Sequence, residues 1–332
     1  MFTNIRKKIE SKREASSLFW LILVRLKDGL WRLSQVTEKF FRKIEAYPLI
    51  KFPHSSGEFS ADPGGRAEIH SLVCHKHLGL YLLAVKSFLR FYQRVAVVAH
   101  DDGSLTNFDK KILTKQIKNV TIIDLCQADR IIIPQIAEFE KISNYRQHHL
   151  IAKQLLDYLM LAKTDKIISL DSDTLFLKQP QQIIDWIENN SREILYSYEA
   201  SPRGQEAFLS TLNCDLPPNF CAGFFCLNRQ ILNLELIELL LSRAEPFDWW
   251  TTQNIYPALI SRAGWANSTR PLDPNQYQSW CNFDNPEPIF RHYWTSNGLT
   301  SEYLRDLHQI NRELKSFQKN PPLQAQIKNI QH

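Results

Sequence analysis

The sequence predicts an α/β fold: a Rossmann-like, mostly parallel, doubly wound sheet with helices on both faces, preceded by an N-terminal amphipathic helix. Three observations predict it. Short β-type runs recur, each parted from the next by a stretch with helical spacing. A later run, "DKIISLDSDTLF", is apolar enough to occupy the middle of a sheet. No internal repeat or low-complexity tract interrupts the alternation. At 332 residues, 44% hydrophobic and 23% charged, the chain has the composition of a folded globular protein long enough for an enzyme.

At the N-terminus, Phe19, Leu23, Leu26, Leu30, Leu33, Phe40 and Ile44 recur at steps of three and four, with Thr37 filling the gap, which describes a long amphipathic helix. Arg6, Lys7, Lys8, Lys12 and Arg13 precede it, and Trp20 and Trp31 lie within it. Such a stripe suits a helix lying on an anionic membrane, and equally a coiled-coil or domain-packing helix. Residues 1–45 carry eleven Lys/Arg against five Asp/Glu. The net charge of +5 is therefore mostly N-terminal, and the remaining body has no basic footprint for nucleic acid. The apolar run from Leu18 to Val24 ends at Arg25, too short to span a bilayer, and no small-residue cleavage pattern follows it. A cytoplasmic protein is the expectation, peripheral on the cytoplasmic membrane face if residues 1–45 take the first of these roles.

"HSSGEFSADPGGR", His54 to Arg66, reads as a linker. Beyond it, Glu68–Cys74 is a strand, Leu78–Phe91 a helix with Leu82, Val85 and Leu89 on one side, and "RVAVVAH" a second strand. Lys110–Lys118 is a second helix, "NVTIIDL" a third strand, and about Gln147–Ala162 a helix leading into the apolar run at Ile167, Ile168 and Leu170. The expected organisation is a helical segment over 1–53, the linker over 54–66, a domain over 67–300 in two halves divided at 176, and a C-terminal helix and tail over 301–332. The six cysteines show no Cys-x-x-Cys spacing and read as reduced, mostly buried thiols.

Asp171 and Asp173 follow the buried strand and present two carboxylates separated by one small residue. Mg²⁺ and Mn²⁺ take hard oxygen ligands and keep positions open for substrate phosphates. Ligands of open α/β sheets bind beyond the carboxyl ends of strands, where this pair falls. An Asp-x-Asp triplet also forms turns and helix caps; its place after a buried strand favours the cation.

"DKIISLDSDTLFLKQP" resembles the D-x-D segment of A-type glycosyltransferases, especially family 8 and related bacterial enzymes. Further segments match in order over about residues 68 to 300: "HDDGSLT", "AKQLLDYLMLAKTDKIISLDSD", "NFCAGFFCLNR", "TTQNIYPALI" and "RHYWTSNG". The resemblance implies that Asp173 binds the cation directly, that Asp171 bridges cation and ribose, and that His292 completes the coordination. It places Gly223 next to the sugar and Gln253 near the reacting sugar. Thr252 departs from the pattern, standing where related enzymes often have Asp or Glu. Asp248, just upstream, is either a base approaching the acceptor or the N-cap of the following helix.

Lys153 either reaches a phosphate or sugar hydroxyl or is a solvated helix residue, and Arg305 is a further phosphate candidate. His75, Lys76 and His77 follow the first strand, where this fold meets the base or ribose, or form a surface turn. His100, Asp101 and Asp102 follow the second strand and offer a carboxylate to base or ribose; a turn at Asp102-Gly103 explains them equally. Neither His-x₃₋₅-His nor a Cys pair supports structural zinc. No glycine-rich phosphate loop follows the first strand, and neither a Walker loop nor G-x-G-x-x-G is present, which excludes nucleotidyltransferase, nucleoside-triphosphatase and dinucleotide chemistry.

The expectation is a metal-dependent transferase using a nucleotide sugar, with UDP and retention favoured by the resemblance and a glycan or lipid-linked molecule as acceptor; a homodimer is compatible with it. The alternative is a non-catalytic sugar-nucleotide-binding or membrane-associated protein with a degenerate transferase domain.

Overall fold

The structure, a computed structural model, describes residues 57–189, 191–199, 216–244, 246–279, 283, 285–294 and 299–319. The expected N-terminal helix, the start of the linker, Cys214, Cys281 and the tail from 320 lie outside the described residues.

In chain order the first part comprises β1 (Phe59–Ser60), β2 (Ala67–Val73), α1 (Leu78–Leu89), β3 (Ala96–Asp101), α2 (Asn107–Gln116), β4 (Ile117–Lys118) and β5 (Thr121–Ile123). Then come α3 (Leu125–Ile136), α4 (Glu140–His148), α5 (Ala152–Leu161), β6 (Lys166–Leu170), β7 (Thr174–Phe176), α6 (Gln181–Glu188) and β8 (Ile194–Tyr198). The rest comprises β9 (Phe220–Asn228), α7 (Leu234–Arg243), α8 (Thr251–Arg262), β10 (Thr269–Pro271), β11 (Tyr277–Ser279), β12 (Phe290–His292) and α9 (Ser301–Lys319).

The main sheet has seven strands in the order β10-β8-β9-β6-β2-β3-β5. All neighbours pair in parallel except at β9, which runs antiparallel to both β6 and β8. Side chains alternate across each strand, and the alternation feeds two apolar cores. Ile168, Phe224 and Cys226 join α1 and α9 on one face. Ile167, Phe225 and Leu227 join α5, α7 and α8 on the other. The expected mostly parallel sheet with helices on both faces is present.

Three differences follow from packing. The second helix stops at Gln116 because Ile117 and Lys118 pair with β1; its start is fixed by a capping box between Thr106 and Asp109. The expected helix over Gln147–Ala162 is two helices, because His149 is extended between α4 and α5. The run Lys166–Phe176 is not one strand: β6 leaves the main sheet at Leu170, and β7 joins a three-stranded sheet ordered β11-β12-β7. Asp171, Ser172 and Asp173 occupy the link between the two sheets.

Candidate metal and donor site

The link is tightly held. The Leu170 carbonyl accepts from Ser71 Oγ at 2.7 Å, the Asp171 N–H donates to the Gly223 carbonyl at 2.9 Å, and Thr174 Oγ1 donates to the Asp171 carbonyl at 2.7 Å. β12 pairs antiparallel with β7, setting His292 opposite Thr174, and the Tyr293 N–H donates to the Asp173 carbonyl at 3.0 Å. Two sheets thus deliver three side chains to one point. His292 Nε2 lies 3.4 Å from Asp173 Oδ1 and 3.8 Å from Asp171 Oδ2, and a ligand atom from each of the three lies within 4.8 Å of the others.

Gly223 makes the room. Its backbone is ordinary strand, so no torsion demands glycine; space does. A Cβ there would stand 2.3 Å from His292 Cε1 and 2.6 Å from Nδ1. The same ring's Nδ1 meets Cys221 Sγ at 3.5 Å, which leaves Nε2 facing the carboxylates. Asp171 Oδ1 accepts from Gln154 Nε2 at 3.1 Å, and that amide also reaches the Ala222 carbonyl at 3.1 Å. Across the same strand the Ala222 N–H donates to Gln253 Oε1 at 3.2 Å, while Gln253 Nε2 is buried without a protein acceptor.

The three side chains are electrostatically coupled. Asp171 keeps 39% of its side-chain surface open, yet the dense surrounding protein and the Asp173 charge push its carboxyl up to about 7, against the pull of His292 and Gln154. Burial disfavours a charged His292, but Cys221 and Asp173 outweigh it and hold the imidazole well above its ordinary range. Two carboxylates and one imidazole form a donor set that could hold a divalent cation, with the partly open Asp171 side leaving room for further ligands.

The remaining candidates divide. His75 and Asp102 lie just beyond β2 and β3, at the end of the sheet where Asp171 lies, and the Asp102 N–H donates to the Val73 carbonyl. His75 Nδ1 meets Asp109 Oδ2 at 2.7 Å. His77 is half-buried; burial and Lys76 lower its pKa, while Asp173 and Asp102 act on it in the opposite sense. Asp101 spends its carboxylate on the Gly103 and Leu105 N–H groups and on Lys110; Asp102 accepts from Ser104. His100 is buried in the sheet, with Nε2 2.8 Å from His70 Nδ1. Lys153 is half-buried in the first turn of α5, where Asp157 feels its charge. Asp248 Oδ1 accepts from the Trp250 N–H and Thr251 Oγ1 in the turn that leads into α8, whose N-cap is Trp250, and Thr252 Oγ1 donates to the Ile151 carbonyl. Arg305 pairs with Asp306.

Sequence reasoning missed Gln154 and Cys221. The one available signal was a polar residue on the buried stripe of α5, between Ile151 and Tyr158. A cavity of about 520 Å³ opens elsewhere, between α6 and the β8–β10 edge. It shares no residue with the carboxylate site, and its charged lining is already engaged, Arg270 with Glu193 and Gln181 with Asp185.

The fold is that of the A-type glycosyltransferases. Among solved structures, the chain resembles a galactosyltransferase, LgtC, in complex with donor and acceptor sugar analogues: TM-score 0.52 at 14% identity, covering 79% of this chain and 99% of that one. It also resembles mouse xyloside xylosyltransferase 1 in its apo form: TM-score 0.50 at 13% identity, covering 73% and 100%. No family model and no curated protein matches the sequence. Among the described residues, no helix is long and apolar enough to cross a membrane.

Proposed function

We propose that this protein is a metal-dependent glycosyltransferase that moves a sugar from a nucleoside-diphosphate donor, UDP-linked, to a glycan or lipid-linked acceptor. The observation that carries the reading is the Asp171–Asp173–His292 cluster at the carboxyl ends of the parallel strands of an A-type fold. The three side chains would hold Mn²⁺ or Mg²⁺. A cation there supplies electrophilic stabilisation of the departing diphosphate. Gly223 admits the His292 ring, and Gln154 aims Asp171. Gln253, held at Oε1 and with its buried amide nitrogen uncommitted, is the group assigned to positioning the transferred sugar. His75, His77 and Asp102, just beyond β2 and β3, would line the nucleoside side. Cytoplasmic placement, with membrane contact through residues 1–45, belongs to the same reading.

The test is hydrolysis of nucleotide sugars by the purified chain with Mn²⁺ present. The reading expects cleavage of at least one UDP-sugar and its loss in Asp173→Ala; a wild type that hydrolyses no nucleotide sugar and binds none refutes it.

A further inference from the structure

Side chains alternate along a strand, so Arg291 and Tyr293 share one face of β12 and its continuation, while His292 points to the other, toward Gly223 and the carboxylates. The two flanking residues end on one atom. Arg291 Nη1 donates to Asp306 Oδ2 at 2.6 Å, and the Tyr293 hydroxyl donates to the same oxygen at 2.7 Å. Asp306, on α9, is 2% exposed, and Arg291 and Tyr293 are equally enclosed. Arg291 is fixed further by Gln278 Oε1 at 2.9 Å and the Asn285 carbonyl at 2.7 Å. The Tyr293 ring stacks on Tyr303 of α9 with centroids 4.0 Å apart. One carboxylate therefore grips the strand on both sides of the candidate ligand.

We infer that Asp306 is a positioning residue for His292: by holding Arg291 and Tyr293 together it fixes the rotation of this strand, so that the imidazole stays opposite Asp171 and Asp173. The C-terminal helix α9 becomes a working part of the candidate metal site, although none of its residues belongs to the Asp171–Asp173–His292 cluster. The inference rests on the metal reading of the site. Groups that orient metal ligands set affinity without contacting the ion, and losing one typically costs 10–100-fold in binding. A buried carboxylate that satisfies an arginine and a tyrosine at once is harder to replace than a single hydrogen bond.

The experiment is titration of Mn²⁺ alone into wild type, Asp306→Asn, His292→Ala and the double variant, each checked by circular dichroism for native secondary structure. Asp306→Asn is expected to weaken Mn²⁺ binding about tenfold or more in the wild-type background and to change nothing further once His292 is removed, since the two act on one ligand. A merely structural role would repeat the same loss in both backgrounds, and that result overturns the inference, as does unchanged affinity in Asp306→Asn. If Asp306→Asn does not fold, Tyr293→Phe removes one of the two grips; a smaller loss, again absent in the His292→Ala background, supports the same conclusion, and no loss overturns it. A wild type that binds no Mn²⁺ overturns the metal reading and this inference with it, an outcome distinct from binding that ignores Asp306.

Discussion

Replacing Gly223 by alanine would put a methyl group where the His292 ring now stands. The nearest approach would be 2.3 Å, and ordinary van der Waals contact begins at 3.4 Å, so the ring has to withdraw by about 1.1 Å, the difference of those two distances. Metal–ligand bonds hold to within about 0.2 Å, so a displacement of that size removes the imidazole from any coordination sphere shared with Asp171 and Asp173. The expected loss is about 10–100-fold in Mn²⁺ affinity, or ~1.4–2.8 kcal/mol. Overpacking costs a further ~1–3 kcal/mol of fold stability. Calorimetric titration of Mn²⁺ reads the first quantity, and thermal unfolding in chelator reads the second. If Gly223→Ala binds Mn²⁺ as wild type does, either the ring is not a ligand or the strand yields without cost, and the argument from close approach fails.

Two further predictions probe the fold around the site. Lys86 is fully buried on α1, donating to Gln116 Oε1, and burial lowers its pKa from 10.5 to about 7. Between those values the unfolded chain binds more protons than the folded one, so stability rises with pH, by ~1.4 kcal/mol per unit from this group. Below about 7 the full penalty of a buried charge is present. Urea unfolding of wild type and Lys86→Met at several pH values between 6.5 and 9 is expected to show a difference that changes with this slope; a pH-independent difference would mean the amine titrates normally. Asp248→Ala removes the turn bonds to Trp250 and Thr251 that lead into α8 and is expected to cost ~1 kcal/mol of stability while leaving turnover within about tenfold of wild type. A loss of ~10²–10⁴ in turnover would instead identify a general base.

The parts of the site legible in the sequence were those written locally. Ile167, Ile168 and Leu170 mark a buried strand, and Asp171 and Asp173 follow its carboxyl end, where ligands of open α/β sheets bind. The resemblance named Gly223 and His292 separately, one next to the sugar and the other on the metal; their contact was not legible, since residues so far apart in the chain meet through strand pairings that no local pattern encodes. The direction of β9 was hidden for a related reason: its nine residues are almost all buried on both faces, a pattern equally compatible with either orientation. α3 and α4 were not anticipated because their helical stripe is broken by Pro134 and disguised by a buried charge: Arg146, on the inner face of α4, is paired with Asp157 and Asp129. Polar residues that act through buried partners, such as Gln154 and Asp306, look like surface residues until the fold supplies those partners.

Calorimetric titration of UDP into the purified chain, with Mn²⁺ and with the metal chelated, repeated on Asp173→Ala, tests the central claim most directly. Metal-dependent binding that disappears in the variant is the predicted result. UDP binding that is indifferent to both chelation and Asp173→Ala, or no UDP binding by the wild type with Mn²⁺ present, would contradict the account.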